Sequence, residues 1–143
     1  MNNNIRTLRG YLTDTDIRRI VVDDGRPNHG YKVIDFRIWA SGASADGVFA
    51  TLGTQSDMLF GARADDNRQI AWAGNTWSSS GTPTTGIWAV VDPDHIIITD
   101  LYIQATTANN DPTNYLIVVQ PITMTDDEAI LRLIKERSQD DLK

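Results

Sequence analysis

The chain contains 143 residues, no cysteine, and a formal net charge of −6 at pH 7. This length predicts one domain with its own core, and the absence of cysteine excludes disulfides and thiolate metal sites. The acidic balance argues against nucleic-acid binding, which needs a clustered basic face. No apolar run is long enough to span a membrane, and residues 1–10 lack the apolar stretch of a signal peptide, so we expect a protein made in a cytoplasm that does not contact membranes.

Alternating apolar and polar residues predict strands along most of the chain. The predicted strands cover residues 5–13, 17–22, 31–40, 48–53, 69–73, 86–91, 95–105 and 114–124. In the third of these, the alternation places Ile34, Phe36, Ile38 and Ala40 on one buried face. The last strand is apolar on both faces, which is typical of a central strand, and Pro121 predicts a bend or an edge near its end.

Short segments rich in Gly, Pro, Asn and Asp separate the predicted strands, and these residues favour tight turns. About eight strands at short spacing, with no helix between them, predict an all-β protein. We therefore expect an antiparallel β-sandwich domain over residues 1–124. The strand count favours a jelly roll, and an immunoglobulin-like sandwich is the alternative.

Residues 125–143 have a different pattern, which predicts an amphipathic helix followed by a polar tail. Thr125 and Glu128 have the spacing of a capping box, in which each side chain satisfies a backbone N–H of the first turn. Acidic residues come first and basic residues follow, as the helix dipole favours. The helix is expected from about residue 126 to residue 138.

The predicted helix has a narrow apolar stripe formed by Ile130, Leu133 and Ile134 and widened by Leu131. A helix of ~13 residues is marginal alone in water, so the stripe must pack against a surface. Either it closes the helix's own sandwich as a lid, or it contacts a neighbouring protein during assembly.

The first predicted strand presents the same two alternatives. It begins almost at the start of the chain, and its apolar residues include Ile5 and Leu8. Such a strand can pair within its own sheet or extend a neighbour's sheet edge.

No set of catalytic residues is visible, so the chain is interpreted as a non-enzymatic protein without a cofactor. Its only histidines, His29 and His95, lie in or beside predicted turns with no acid–base partner apparent in the sequence. The Asp-rich turns at 64–67 and 92–94 offer the oxygen ligands that calcium prefers, but neither has the spacing of an EF-hand loop. Turn geometry alone accounts for these residues, and no metal site is predicted.

Segment 74–86 is nearly all small and polar, which predicts an exposed loop. Trp77 lies within it, close to Asn75. An aromatic side chain in such a loop can stack on a sugar ring, for example of a host glycan, or anchor a partner protein, and it can equally fold back over a sheet. Trp77 and Asn75 are therefore candidate ligand contacts, and a carbohydrate-binding module is the alternative function.

Two segments resemble the minor structural proteins of tailed bacteriophage virions, which include capsid decoration (cement) proteins and small tail or neck components. They are "QPITMTDDEAILRLIKERSQDD" (120–141) and "GYLTDTDIRRIVVDDG" (10–25). The resemblance implies a homo-oligomer, with a trimer favoured, that docks on other virion structural proteins such as the major capsid protein. It also implies assembly in the host cytoplasm and a final location in the virion. The residues expected at these interfaces are Ile130, Leu131, Leu133, Ile134, Ile5 and Leu8.

Overall fold

A computed structural model describes residues 5–13, 16–22, 29–41, 47–77, 85–107 and 112–137. These ranges contain eight strands and one helix. In chain order they are β1 (Arg6–Leu12), β2 (Arg18–Ile20), β3 (His29–Ala40), β4 (Gly47–Gly53), β5 (Gln69–Trp77), β6 (Thr85–Val91), β7 (Leu101–Thr107), β8 (Thr113–Thr123) and α1 (Asp126–Arg137).

The strands form two antiparallel sheets, which confirms the predicted all-β sandwich with one short carboxy-terminal helix. One sheet has the order β1-β8-β3, and the other has the order β2-β7-β4-β5-β6. Strand β8 is central in its sheet, as its apolar residues on both faces predict. The finer prediction of a jelly roll is not confirmed. The two sheets contain three and five strands, and β6 pairs with β5 at the end of the larger sheet.

The core lies between the two sheets and is built from alternate residues of their strands. Val48, Ala50 and Leu52 of β4 point inward, and they face a layer that includes Phe36 and Ile117 from the three-stranded sheet. The residues between them, such as Phe49, point away from the core. We call this outward side of the five-stranded sheet the outer face.

The prediction that Ile34 faces the core is wrong. A β-bulge between Val33 and Asp35 shifts the register of β3 against β8, so the core positions become Val33, Phe36 and Ile38, and Ile34 is exposed. One extra residue on a bulged strand moves the following side chains to the opposite face. Alternation in the sequence alone does not show such an insertion.

Two predicted boundaries also change. Segment 95–105 does not form one strand, since β7 begins at Leu101 and Ile97 instead forms an isolated bridge with Tyr31 of β3. The predicted loop 74–86 is shorter than expected because β5 continues to Trp77 and β6 begins at Thr85.

Candidate interaction surfaces

The beginning of α1 has the predicted capping box. The backbone N–H of Glu128 donates to Thr125 Oγ1 at 3.2 Å, and the backbone N–H of Thr125 donates to Glu128 Oε2 at 3.4 Å. These reciprocal bonds satisfy donors that the first helical turn would otherwise leave without partners. Local sequence therefore fixes where α1 begins, independently of the surface against which it packs.

The apolar side chains of α1 face mainly away from the sandwich. Ala129 is buried, whereas Ile130, Leu131 and Ile134 are each more than half exposed. Ile130 and Ile134 are separated by one helical turn, and Leu131 lies beside them, so the three form one surface. We call this surface the α1 stripe. The side chain of Leu133, the fourth predicted member, lies outside the described residues.

A second surface is the segment between β4 and β5, residues 54–68, which we call the display loop. Gln69 Nε2 donates to the carbonyl oxygens of Leu59 at 2.9 Å and Gly61 at 2.8 Å. Gln104 Nε2 also donates to the Leu59 carbonyl, at 2.7 Å. Both glutamines are buried on the outer face, so the loop is held over this face by bonds to its main chain.

The carboxamide of Gln69 uses its full bonding capacity at this position. Its oxygen accepts the backbone N–H of Arg63 at 2.7 Å and the indole N–H of Trp72 at 2.8 Å, while its nitrogen makes the two bonds to the loop carbonyls. A glutamine side chain has two donors and two acceptor lone pairs. A fully satisfied buried amide of this kind rigidifies the segment that it binds.

A buried ion pair closes the same loop. The side chains of Asp66 and Arg68 are 0 % and 2 % exposed, and Arg68 Nε donates to Asp66 Oδ1 at 2.8 Å. The backbone N–H groups of Leu59 and Arg68 also donate to this carboxylate, at 2.7 and 3.0 Å. Burial alone would raise the pKa of Asp66, but Arg68 and these N–H groups outweigh it and hold the pKa below its ordinary value.

The display loop presents an exposed aromatic side chain. Phe60 lies between the two residues whose carbonyls are held, and it is 69 % exposed. The next residue, Gly61, has a φ of +88°, a left-handed conformation that glycine adopts without strain. A large apolar side chain on a rigid loop loses little conformational freedom when it binds. The sequence indicated only a turn-rich segment here, so Phe60 was not among the predicted contacts.

Further aromatic residues lie on the exposed part of the outer face. Trp88 of β6 is paired with Gly74 of β5, and a Cβ atom at Gly74 would lie only 2.4 Å from the indole Nε1 of Trp88. The missing side chain at Gly74 therefore leaves space for the Trp88 ring against the sheet. Phe49 lies beside it, with the two ring centroids 6.2 Å apart and the planes tilted by 47°. Such a tilted pair is a favourable aromatic arrangement that leaves ring surface open to a partner.

The remaining predicted contacts are dispersed. Ile5 precedes β1 and is exposed, whereas Leu8 packs partly against the core. Asn75 is half-buried, and its Nδ2 donates to the carbonyl of Ile38 at 3.4 Å. The backbone of Trp77 ends β5, paired with Thr85, and its side chain lies outside the described residues.

Two of the Asp-rich turns are already bonded within the chain. Asp65 forms an ion pair with Arg63 at 2.7 Å, and Asp66 binds Arg68 and backbone N–H groups. At the other turn, the Asp92 carboxylate accepts the backbone N–H of Asp94 at 3.0 Å. Among the described residues there is no cluster of three or more His, Asp or Glu side chains that could hold a metal ion.

A further ion pair lies at the opposite edge of the five-stranded sheet. Arg19 of β2 donates from Nε to Asp100 Oδ2 at 2.6 Å, and Asp100 Oδ1 accepts the backbone N–H of Val22 at 3.2 Å. The hydrogen bond to Asp100 raises the pKa of Arg19 above its ordinary value. This pair ties the short strand β2 to the segment before β7.

The helix α1 is too short and too polar to cross a membrane, and it is the only helix among the described residues.

No protein family and no curated protein matches this chain. The solved structures that it resembles include the carbohydrate recognition domain of Emp47p, which is 9 % identical in sequence. The similarity covers 87 % of this chain and 90 % of that chain, with a TM-score of 0.28. A TM-score of this size carries no argument about function.

Proposed function

We propose that this protein is a non-enzymatic structural protein of a tailed-phage virion that self-assembles and docks on capsid or tail proteins. The α1 stripe is the single observation that carries the docking part of this proposal. Ile130, Leu131 and Ile134 expose apolar surface on a helix whose start is fixed by its own capping box. Clustered exposed apolar side chains mark protein–protein contacts more often than isolated ones do. The virion setting comes from the sequence resemblance of residues 10–25 and 120–141.

The proposed contact follows the helix-in-groove mode of recognition. In this mode an amphipathic helix places anchor residues that are three or four positions apart into an apolar groove of the partner. Ile130 and Ile134 are four positions apart, and Leu131 and Ile134 are three positions apart. The occupant of the α1 stripe is then another protein of the particle, such as the major capsid protein.

The test is the protein content of particles purified from cells that express this chain with its phage. Mass spectrometry should find many copies of the chain per particle. The double variant Ile130→Ser/Ile134→Ser should fold normally but be missing from particles, because both side chains are exposed in the isolated chain. Val21→Ser, at another exposed apolar residue, is the matched control and should be incorporated normally. A parent chain that is found only in the soluble fraction would refute the proposal.

A carbohydrate-binding module is the second candidate function, and the observation that favours it is the Trp88–Phe49 pair. A partly exposed indole that lies against the sheet offers a flat surface for a sugar ring. This candidate predicts binding on a glycan array that is lost in Trp88→Ala or in Trp77→Ala. Retained glycan binding in both variants, or no binding by the parent chain, would contradict it.

A further inference from the structure

We propose that the outward side of the three-stranded sheet binds an acidic polysaccharide that carries a carboxylate on about every second sugar. This site lies on the other sheet from Phe49 and Trp88, and the inference does not depend on the virion setting. It rests on two rows of side chains that strand pairing places next to each other.

The first row is aromatic. Tyr11 of β1 and Trp39 of β3 both pair with Asn114 of β8, so the three residues lie in line across the sheet. The row faces solvent, since Tyr11 is 47 % exposed and Trp39 is 43 % exposed. The Tyr11 hydroxyl donates to Ser41 Oγ at 3.3 Å, and Ser41 follows the end of β3, on the far side of β8. This bond holds the Tyr11 ring across the sheet, with one side of the ring toward solvent.

The second row is basic. Arg9 of β1 and Arg37 of β3 both pair with Leu116 of β8, and both arginines are exposed. Residues two positions apart on one face of a strand are separated by about 6–7 Å, so this row lies directly beside the aromatic row. We call the two rows together the basic face, which consists of Tyr11, Asn114, Trp39, Arg9, Leu116 and Arg37.

The charge of this sheet is opposite to that of the whole chain. Strands β1, β3 and β8 carry four Arg or Lys residues and one Asp, a balance of +3, whereas the chain carries −6. The one acid, Asp35, forms an exposed ion pair with Arg37 at 3.0 Å. The basic face therefore attracts an anion at short range, although the molecule as a whole repels anions at longer range.

An acidic polysaccharide matches both rows. The C–H groups on the flat side of a sugar ring can pack on an aromatic ring, and an arginine can bind a carboxylate through two parallel N–H donors. Arg9 and Arg37 are separated by two interstrand spacings, about 9–10 Å between their backbones, which is close to the length of two linked sugars. A polymer that lies along the aromatic row, with a carboxylate on every second sugar, therefore places one carboxylate beside each arginine.

A single-stranded polynucleotide fits the basic face less well. Its bases also stack on aromatic side chains, but every nucleotide carries a phosphate, so its charges are closer together than the two arginines. The net charge of −6 also adds a long-range repulsion that grows with the charge density of the ligand. The spacing of the basic row thus favours the more sparsely charged polymer.

The test is the binding of the full chain to fragments of hyaluronan and of unsulfated chondroitin, measured by titration calorimetry. Both polymers carry a carboxylate on every second sugar. At least one of them should bind, and its carboxyl-reduced form, in which the same sugars are neutral, should bind about tenfold more weakly. The affinity should fall as the salt concentration rises, and a single-stranded oligothymidylate should bind more weakly than the acidic fragment.

Two arginines in similar ion pairs provide the variant and its control. Arg37 and Arg63 are both exposed, and each is bonded to an aspartate two positions away. Arg37→Gln should weaken binding about tenfold, and Arg63→Gln, in the display loop over the other sheet, should leave it unchanged. Asp35→Asn should strengthen binding, because it removes the one acid of these strands and frees Arg37 for the ligand.

Failure of the parent chain to bind either acidic fragment would overturn the inference. Equal affinity for the carboxyl-reduced form would show that the arginines do not select the ligand, and stronger binding of the oligothymidylate would assign the face to nucleic acid instead. An effect of Arg63→Gln as large as that of Arg37→Gln, or weaker binding by Asp35→Asn, would place the ligand elsewhere on the molecule.

Discussion

Asp66→Asn tests whether the buried ion pair holds the display loop. The substitution keeps the shape of the side chain but removes its charge and replaces one acceptor oxygen with an NH₂ group. In the parent chain, one carboxylate oxygen accepts from Leu59 and the other accepts twice from Arg68. Whichever way the asparagine is oriented, its NH₂ group therefore faces a donor. The Arg68 guanidinium loses its buried carboxylate partner and keeps an ion pair with the exposed Asp57 carboxylate at 3.3 Å.

The expected effect is large because both side chains are buried. Removing one member of a buried ion pair costs about 3–5 kcal/mol, out of a total stability of about 5–15 kcal/mol, and the remaining Asp57 contact of Arg68 places the cost at the lower end of that range. For a chain of this size about 1 kcal/mol shifts Tm by about 2–4 °C, so Tm should fall on the order of 10 °C. Urea unfolding and thermal circular dichroism both measure this change. The neighbouring Asp65→Asn is the matched control, since Asp65 and its partner Arg63 are both exposed, and it should leave Tm nearly unchanged.

The same variant has a predicted pH dependence. The pKa of Asp66 in the folded chain lies below its ordinary value of 3.8, so its carboxylate adds stability above that value. This contribution is lost as pH falls through the lower folded pKa. The stability gap between the parent and Asp66→Asn should therefore be constant near neutral pH and shrink in acid, below about pH 4. A gap that stays the same at all pH values, or a Tm equal to that of Asp65→Asn, would refute the assigned role of the pair.

Three further predictions concern other parts of the molecule. Gly74→Ala should displace the Trp88 indole, because the new Cβ would lie 2.4 Å from its Nε1. Tryptophan fluorescence should shift to the red, and the shift should be absent when Trp88→Phe is also present. An unshifted spectrum contradicts the packing. Thr125→Ala removes the cap of α1 and should destabilise the helix by about 1 kcal/mol. Hydrogen exchange should become faster in residues 126–137 and stay unchanged in β8. Equal exchange in the variant and the parent chain argues against the capping box. Gln69→Leu leaves buried donors and acceptors without partners, at about 1–3 kcal/mol, and urea unfolding should show the loss; a variant as stable as the parent would mean that the loop is held by other contacts.

The sequence predicted α1 and most strands because capping residues and apolar alternation depend only on residues a few positions apart. The capping box needs only Thr125 and Glu128, three positions apart, and its bonds form as predicted. Strand β8 could likewise be identified as central because both of its faces are apolar. Ile34 could not be placed, since a bulge is set by pairing with a distant strand rather than by the alternation around it.

The candidate surfaces were harder to predict because they depend on which strands become neighbours. Asp66 and Arg68 lie in a segment that reads as an exposed polar turn, yet both are buried once β4, β5 and β7 bring Gln69 and Gln104 under it. Phe60 gains its exposed position from the same tertiary contacts. The position of β6 at the end of its sheet follows from strand order, which its own sequence does not contain. Trp77 was expected in a loop because the small polar residues after Ala73 outweigh the strand signal.

The way in which the display loop is held has a consequence for its sequence. Gln69 and Gln104 bind the carbonyl oxygens of Leu59 and Gly61, which every amino acid possesses, and no bond of this clamp uses the side chain between them. The side chain at position 60 therefore makes none of the hydrogen bonds that hold the loop, so Phe60 could be replaced by residues of different chemistry without a change in the loop's conformation. The fold thereby separates the part that sets the shape of the loop from the part that selects a partner, so the loop is also a suitable site for grafting a new binding side chain in design.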